Sequence, residues 1–205
     1  MCIRDRRGLF LLESFDDLER HLHAALAQSP TREAILESYH EGIELNGLVI
    51  ARRGEISVLT LSDRLRPPGV GFGVGWIHRY PSILLDDTIA AAERSAIGAV
   101  RALGLRDGIA FPQVLACEDG VVRIVECAAR IPGGQMADLA RHAVGVELLD
   151  VAIRQALGED LPDGLVQPRF SQPLAIRFLT AEPGPLPAGK VTSIGSGKMP
   201  VSSAT

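Results

Sequence analysis

Gln-Val-Leu-Ala-Cys-Glu-Asp-Gly-Val-Val-Arg-Ile-Val-Glu, residues 113–126, sets two apolar-rich runs on either side of Asp119-Gly120. Asp-Gly between two such runs is a strong signal for a two-residue hairpin. With those two residues as the turn, Glu118 pairs with Val121, Cys117 with Val122, Leu115 with Ile124 and Gln113 with Glu126. Paired residues share a face of the sheet, with Cβ atoms ~5 Å apart. Glu126 then sits in a largely apolar strand, where a carboxylate is costly unless something pairs with it. Gln113 brings an amide oxygen to the same spot. The pair suits a hard cation, which takes oxygen ligands. A solvated strand-end Glu, or one bonded to the Gln113 amide, also fits the spacing. The same register sets Cys127 against Pro112, away from Cys117, so no disulfide is expected between them.

Four residues past Glu126 comes Arg130, opening the loop Arg-Ile-Pro-Gly-Gly that ends at Gly133 and Gly134. A guanidinium beside a metal-binding carboxylate is what phosphoryl chemistry uses to hold developing negative charge. Paired glycines let backbone amides approach an anion. A salt-bridged structural arginine and a plain turn remain alternatives. Helical stretches follow over 135–143 and 147–157, stopped by Gly158, then a Pro-rich linker over 162–173 and a last strand over 174–179 with no partner of its own. The tail from Glu182 shows no clear element.

Upstream, a short strand is expected over 9–12. Ser14 then caps a helix, with Asp17 as its capping-box partner and Leu18, Leu22 and Leu26 on one face. Apolar segments over 35–39, 43–51 and 56–61 follow, the last two joined as a hairpin at Arg53-Gly54. Positive φ at Arg53 is awkward, so that turn type is left open. Residues 66–75 read as a loop, with Pro67, Pro68 and glycines at 69, 71, 73 and 75. A short strand over 76–80 precedes a helix capped by Asp86 or Asp87, carrying Ile89, Ile97, Val100 and Leu103 and ended by Gly104. Strands mixed with helices, and hairpins among the strands, predict an α+β fold with a mostly antiparallel sheet. Both ends of the chain look cut.

The bulk properties exclude several classes. A net charge of -4 over 205 residues offers no basic field to nucleic acid. No apolar run approaches the ~20 residues of a membrane span. Residues 1–6 lack the apolar stretch of a secretion signal and read as a non-native leader. Cys2, Cys117 and Cys127 are an odd count without metal spacing, which points to reduced thiols and a cytoplasmic protein. The only lysines are Lys190 and Lys198, so any mechanism needing an earlier lysine is incomplete in this chain. No Ser-His-Asp or Cys-His arrangement stands out.

Taken in order, Glu37-Ser-Tyr, Gly42-Ile-Glu44, the two hairpin strands, Glu126-x-x-x-Arg130 and the glycine loop resemble the ATP-grasp superfamily. Glu-Cys-Ala-Ala-Arg, with His78-Arg-Tyr-Pro-Ser-Ile-Leu upstream, is similar to its amino-acid ligase branch. The resemblance spans roughly residues 7 to 180. It implies the C-terminal part of the domain, truncated at both ends: a nucleotide- and metal-binding part over 7–160, then a linker and the start of a C-terminal subdomain over 161–205. It further implies ATP and Mg²⁺. Glu37, Ser38 and Tyr39 would form the adenine hinge, and Glu44 would accept from the ribose hydroxyls, unless it pairs with Arg64 across the hairpin. Gln113 and Glu126 would bind magnesium, and Arg130 would steady an acyl phosphate. His78 would line the carboxylate pocket, and Gly133 and Gly134 the amine side. The partners implied are a small carboxylate and an amine, with a homodimer left open for the full-length protein.

Gln113 departs from the family's carboxylate, so metal binding is expected to be weak without nucleotide. The phosphate-covering loop and its two lysines precede residue 9 in the family, so this chain alone is expected to turn over little. The activity implied is ADP-forming carboxylate–amine ligation through an acyl phosphate. A non-catalytic nucleotide-binding module and a carboxylase-type relative are the alternatives.

Overall fold

A computed structural model describes residues 8–66 and 75–178. The expectations for the leader over 1–6, for the loop glycines 69, 71 and 73, and for the tail with Lys190 and Lys198 lie outside the described residues. The elements run α1 (Phe15–Gln28), β1 (Gly42–Arg52), β2 (Glu55–Leu65), β3 (Ile77–Tyr80), α2 (Asp86–Ala102), β4 (Gly108–Cys117), β5 (Val122–Ala128), α3 (Met136–Val144), α4 (Leu148–Ala156), α5 (Asp163–Val166) and β6 (Leu174–Arg177). Six strands form one sheet in the order β5-β4-β1-β2-β3-β6, with every pairing antiparallel. The α+β, antiparallel expectation holds.

The sheet has two working faces. On one, α2 packs through Ala92, Ala96 and Val100, all fully buried, against Leu45, Leu61, Val114, Val49 and Ala110. Small residues on that helix let its backbone lie close to the strands. On the other face, α3 and α4 pack through Leu139, Ala143 and Val151 against Leu48, Ile50, Ile109 and Phe111. Leu161 and Val166 join this second core, and Leu174 and Ile176 of β6 pack against it. Among the described residues no helix is long and apolar enough to cross a membrane.

Several expectations are corrected. Residues 9–12 are not a strand; Phe10 instead stacks on His21 of α1, ring centroids 4.4 Å apart. Residues 35–39 are irregular and exposed. Ser14 does cap α1, accepting from the Asp17 amide at 3.2 Å, and the Asp17 carboxylate reaches back to the backbone of Ser14 and to the Glu13 amide, the latter at 3.2 Å. Neither Asp86 nor Asp87 caps α2: both lie inside its first turn, where their charge opposes the positive end of the helix dipole, and Leu85 holds the cap position. The linker contains α5, and the last strand does have a partner, β3. At Arg53-Gly54 both residues take positive φ, +53° and +86°. Asp107 accepts from the Arg53 amide at 2.7 Å and the Arg106 carbonyl from Gly54 at 2.9 Å, which holds the turn against its strain.

The hairpin of β4 and β5 departs from the simple reading twice. The Gly120 amide donates to the Cys117 carbonyl and the Cys117 amide to the Val121 carbonyl, both at 3.0 Å. The loop is therefore three residues, Glu118-Asp119-Gly120, with Gly120 at φ +79° in the left-handed position such loops require. This shifts the ladder by one, so Ala116 faces Val122 and Val114 faces Ile124. A bulge beside Gln113/Val114 leaves Val125 unpaired and absorbs the shift. Beyond it Gln113 faces Glu126 and Pro112 faces Cys127. Cys117 and Cys127 are free thiols.

Nothing lies within 4 Å of a Cβ placed on Gly120, so a substitution there meets only backbone strain. Gly120→Ala is expected to lower stability by about 1 kcal/mol, read as a lower urea midpoint with unchanged slope. An unchanged midpoint would show that the left-handed position is not needed.

Candidate functional site

The face opposite α2 is only partly covered by α3 and α4, and its remainder carries a polar row. Ser62 of β2, Asn46 of β1, Gln113 of β4 and Glu126 of β5 are consecutive cross-strand partners. They share a face because paired residues point the same way. Gln113 and Glu126 are half-buried, while Asn46 and Ser62 are buried. Two residues along their strands, on the same face, come Glu44 and Arg64.

The Glu44 carboxylate is held from both sides. Arg64 Nη1 donates to Oε2 and Arg66 Nη2 lies against Oε1, each at 2.6 Å, with all three side chains largely shielded from solvent. Arg64 Nη1 also reaches Gln113 Oε1 at 3.5 Å. The cross-hairpin ion pair weighed for Glu44 is therefore formed, with Arg66 added to it.

His78, on β3, is only 6% exposed and lies beside this cluster. Its Nδ1 is 2.9 Å from Asn46 Nδ2. Phe178 stands edge-on to the ring at 5.9 Å, and a Cβ on Gly134 would come 3.6 Å from Nε2. The sheet thus brings His78 to the glycine loop. Gly75 closes over the same place: a Cβ there would lie 2.6 Å from Arg64 Cγ and 3.1 Å from His78 Cε1. Burial first, and the nearby Arg64 guanidinium second, pull the His78 pKa down to about 4.

Arg130 sits just past β5, exposed, with Nη1 donating to the Ile131 carbonyl at 3.1 Å. Gly133 and Gly134 are exposed in the loop that leads into α3, which begins at the buried Met136. Glu37, Ser38 and Tyr39 are exposed in the irregular segment leading into β1. Two cavities open elsewhere. One of about 340 Å³ lies between Leu84, Thr88 and the β4–β5 turn, and one of about 330 Å³ lies around Arg52, Gln155 and Asp160. Neither cavity is lined by residues of the polar row.

Sequence reasoning missed Asn46 and Arg66, and weighed Arg64 only as an alternative partner. The signal for Asn46 was available: Glu44 and Asn46 stand two apart in a strand whose other positions before its last residue, Arg52, are apolar or glycine.

No protein-family model and no curated protein matches the chain. Solved structures do. Biotin carboxylase from Campylobacter jejuni, in a β-γ-ATP complex, superposes with a TM-score of 0.66 at 20% identity over 80% of this chain and 37% of that one. N5-carboxyaminoimidazole synthase from Aspergillus clavatus, in complex with ADP and its ribonucleotide, gives 0.62 at 19% over 81% and 41%. L-amino acid ligase from Bacillus licheniformis gives 0.57 at 23% over 63% and 34%. The fold is that of part of an ATP-grasp domain. The chain spans between about a third and two fifths of the length of these three proteins.

Among the described residues, no group of three or more His, Cys, Asp or Glu side chains is placed to hold a metal. Gln113 and Glu126 do fit Mg²⁺ in kind, since both offer oxygen donors and Mg²⁺ commonly takes one or two carboxylates plus substrate phosphates.

The His78 value of about 4 lies below the ~6.5 of an unfolded histidine. Between those values the unfolded chain binds a proton that the folded chain does not. His78 therefore costs no stability above about pH 6.5, costs progressively more as pH falls towards 4, and levels off below. Relative to His78→Gln, the wild-type chain should lose on the order of 2 kcal/mol between pH 7 and pH 4, measured by urea unfolding at each pH. A wild-type-to-variant difference that is flat across that window would show that the ring is not held neutral.

Proposed function

We propose that this chain is the nucleotide- and metal-binding part of an ATP-dependent, ADP-forming ligase that joins a carboxylate to an amine, with amino acids as the substrate class. The observation that carries the reading is the in-register pair Gln113 and Glu126 in the polar row, with the Glu44–Arg64–Arg66 cluster beside it. Glu126 and Gln113 would hold Mg²⁺, which when bound supplies positive charge between the phosphates. The segment with Glu37, Ser38 and Tyr39 would take the adenine edge, and Glu44, held by Arg64 and Arg66, would accept from the ribose hydroxyls only by sharing oxygens those guanidinium groups already bind. His78 would orient the carboxylate, while Gly133 and Gly134 would offer backbone amides along the amine side.

The chemistry this arrangement serves has two displacements. A carboxylate oxygen attacks the γ-phosphorus of ATP, the bond to the bridging oxygen breaks, and ADP leaves. The amine nitrogen then attacks the acyl carbon, loses a proton, and phosphate leaves. Arg130 would hold charge on the acyl phosphate and on the tetrahedral intermediate. Positioning and charge neutralisation carry such reactions, without a side-chain nucleophile.

In the full-length protein, Glu126→Gln is expected to lower amino-acid-dependent ADP release by on the order of 100-fold, the cost typical of removing one group from a preorganised charged site. Circular dichroism should be unchanged. Turnover at the parental rate would end the metal assignment. The likeness to biotin carboxylase supports a second reading, a carboxylase-type enzyme. ADP release that depends on bicarbonate rather than on added amino acids would favour it, and release that depends on neither would favour a non-catalytic module.

A further inference from the structure

We infer that Asn46 is a positioning residue that holds His78 as the neutral tautomer with its proton on Nε2. That N–H is presented at the Gly134 loop as an uncharged hydrogen-bond donor for a substrate carboxylate oxygen. The carboxylate part rests on the ligase reading above; the tautomer part does not.

An amide nitrogen can only donate. In the orientation with Asn46 Nδ2 at 2.9 Å from His78 Nδ1, the ring nitrogen accepts and the ring's single proton goes to Nε2, while Asn46 Oδ1 is left buried without a hydrogen-bond partner. Asn46 is 1% exposed and His78 6%, so water is not a ready substitute on either side of the bond. Both residues stand on interior strands. Asn46 is on β1, between β2 and β4, and its carbonyl accepts from Ser62 Oγ at 3.5 Å. His78 is on β3, between β2 and β6. Such a frame fixes the ring as well as its proton. On the far edge of the ring, Gly134 leaves open the space beside Nε2 that a side chain would crowd. Phe178 shields one flank. The Arg64 guanidinium lies close enough to the ring to disfavour a second positive charge there.

An uncharged donor suits a carboxylate that must act as a nucleophile. A full positive charge would stabilise the carboxylate before reaction more than after its charge moves to phosphate, and that would slow the step. A neutral N–H orients it with less of this penalty. The opposite amide orientation, with Asn46 Oδ1 facing Nδ1–H, would leave Nε2 as an acceptor that repels a carboxylate.

The test is a two-bond ¹H–¹⁵N correlation spectrum of the histidine rings in this chain near neutral pH, with the His78 signal assigned by its loss in His78→Gln. The wild-type ring should show the Nε2–H pattern. Asn46→Leu, which removes the donor, should lose that pattern for a mixture or for Nδ1–H. Asn46→Asp, which can only accept when ionised, should oblige Nδ1 to carry a proton. An Nδ1–H pattern in the wild type, or an Nε2–H pattern that survives in both variants, overturns the inference. If Asn46→Leu does not fold, the wild-type spectrum and Asn46→Asp still decide. In the full-length protein, Asn46→Asp should raise KM for the carboxylate substrate at least about tenfold while leaving KM for ATP within about twofold. The wild-type tautomer together with an unchanged carboxylate KM would overturn the substrate part. Absence of any carboxylate-dependent turnover in the parent would instead defeat the ligase reading and leave the tautomer result standing.

Discussion

The polar face depends on one register: Gln113 must stand beside Glu126. Period-two alternation makes this unforgiving, because a one-residue slip sends every side chain of a strand to the other face. The three-residue turn introduces just such a slip, and the bulge at Val125 removes it. Between turn and bulge the ladder runs one out of step, with Ile124 38% and Val125 59% exposed. Beyond the bulge it returns to the pairing that puts an amide oxygen and a carboxylate side by side. Bulges gather where a strand must re-aim a side chain, and this one re-aims Glu126.

The two faces of the sheet then divide the work. The α2 face is closed with small apolar residues, and on it the buried Asp63 pairs with the partly exposed Arg79, whose Nε and Nη2 both reach Oδ2, at 2.9 and 2.6 Å. The Ile83 amide donates to the same oxygen at 3.3 Å, which ties β2, β3 and the segment before α2 together. Removing Arg79 would leave the Asp63 carboxylate buried without its ion-pair partner, which is destabilising. With that side fixed, the opposite face can carry partly shielded charge without losing its shape. His78 and Arg79 are neighbours in sequence but serve different faces, the first the open site and the second the closed core.

Much of this was legible in the sequence because the strongest signals were local. Asp-Gly between β-prone runs, Ser14 before a helical pattern and glycines after helices each placed an element within a residue or two. The pairing of residues 113 and 126 was also reached, but through a turn of the wrong length and without the bulge. A bulge has no sequence signature beyond an extra residue, so counting outward from the turn cannot see it. The strand expected over 9–12 failed for a different reason: an apolar run states that it wants burial, not with what, and Phe10 found His21. Asn46 was missed because a polar residue in a strand reads as solvent-facing until the neighbouring strands are known. Only the assembled sheet shows that β3 brings His78 over it.

The charge pattern explains why glutamine at 113 belongs with its surroundings. Arg64 bonds Glu44 at 2.6 Å and stands 3.5 Å from Gln113 Oε1. A carboxylate at 113 would attract that guanidinium with a gross energy of about 5 kcal/mol at an effective dielectric near 20. It would compete with Glu44 for the same nitrogen. The neutral amide interacts far more weakly, so Arg64 stays committed to Glu44, with Arg66 closing the other oxygen. Placing a carboxylate at 113 would thus do more than add a charge beside Glu126. It would draw Arg64 along the row and loosen its hold on Glu44, so positions 44, 64 and 113 have to be understood as one unit.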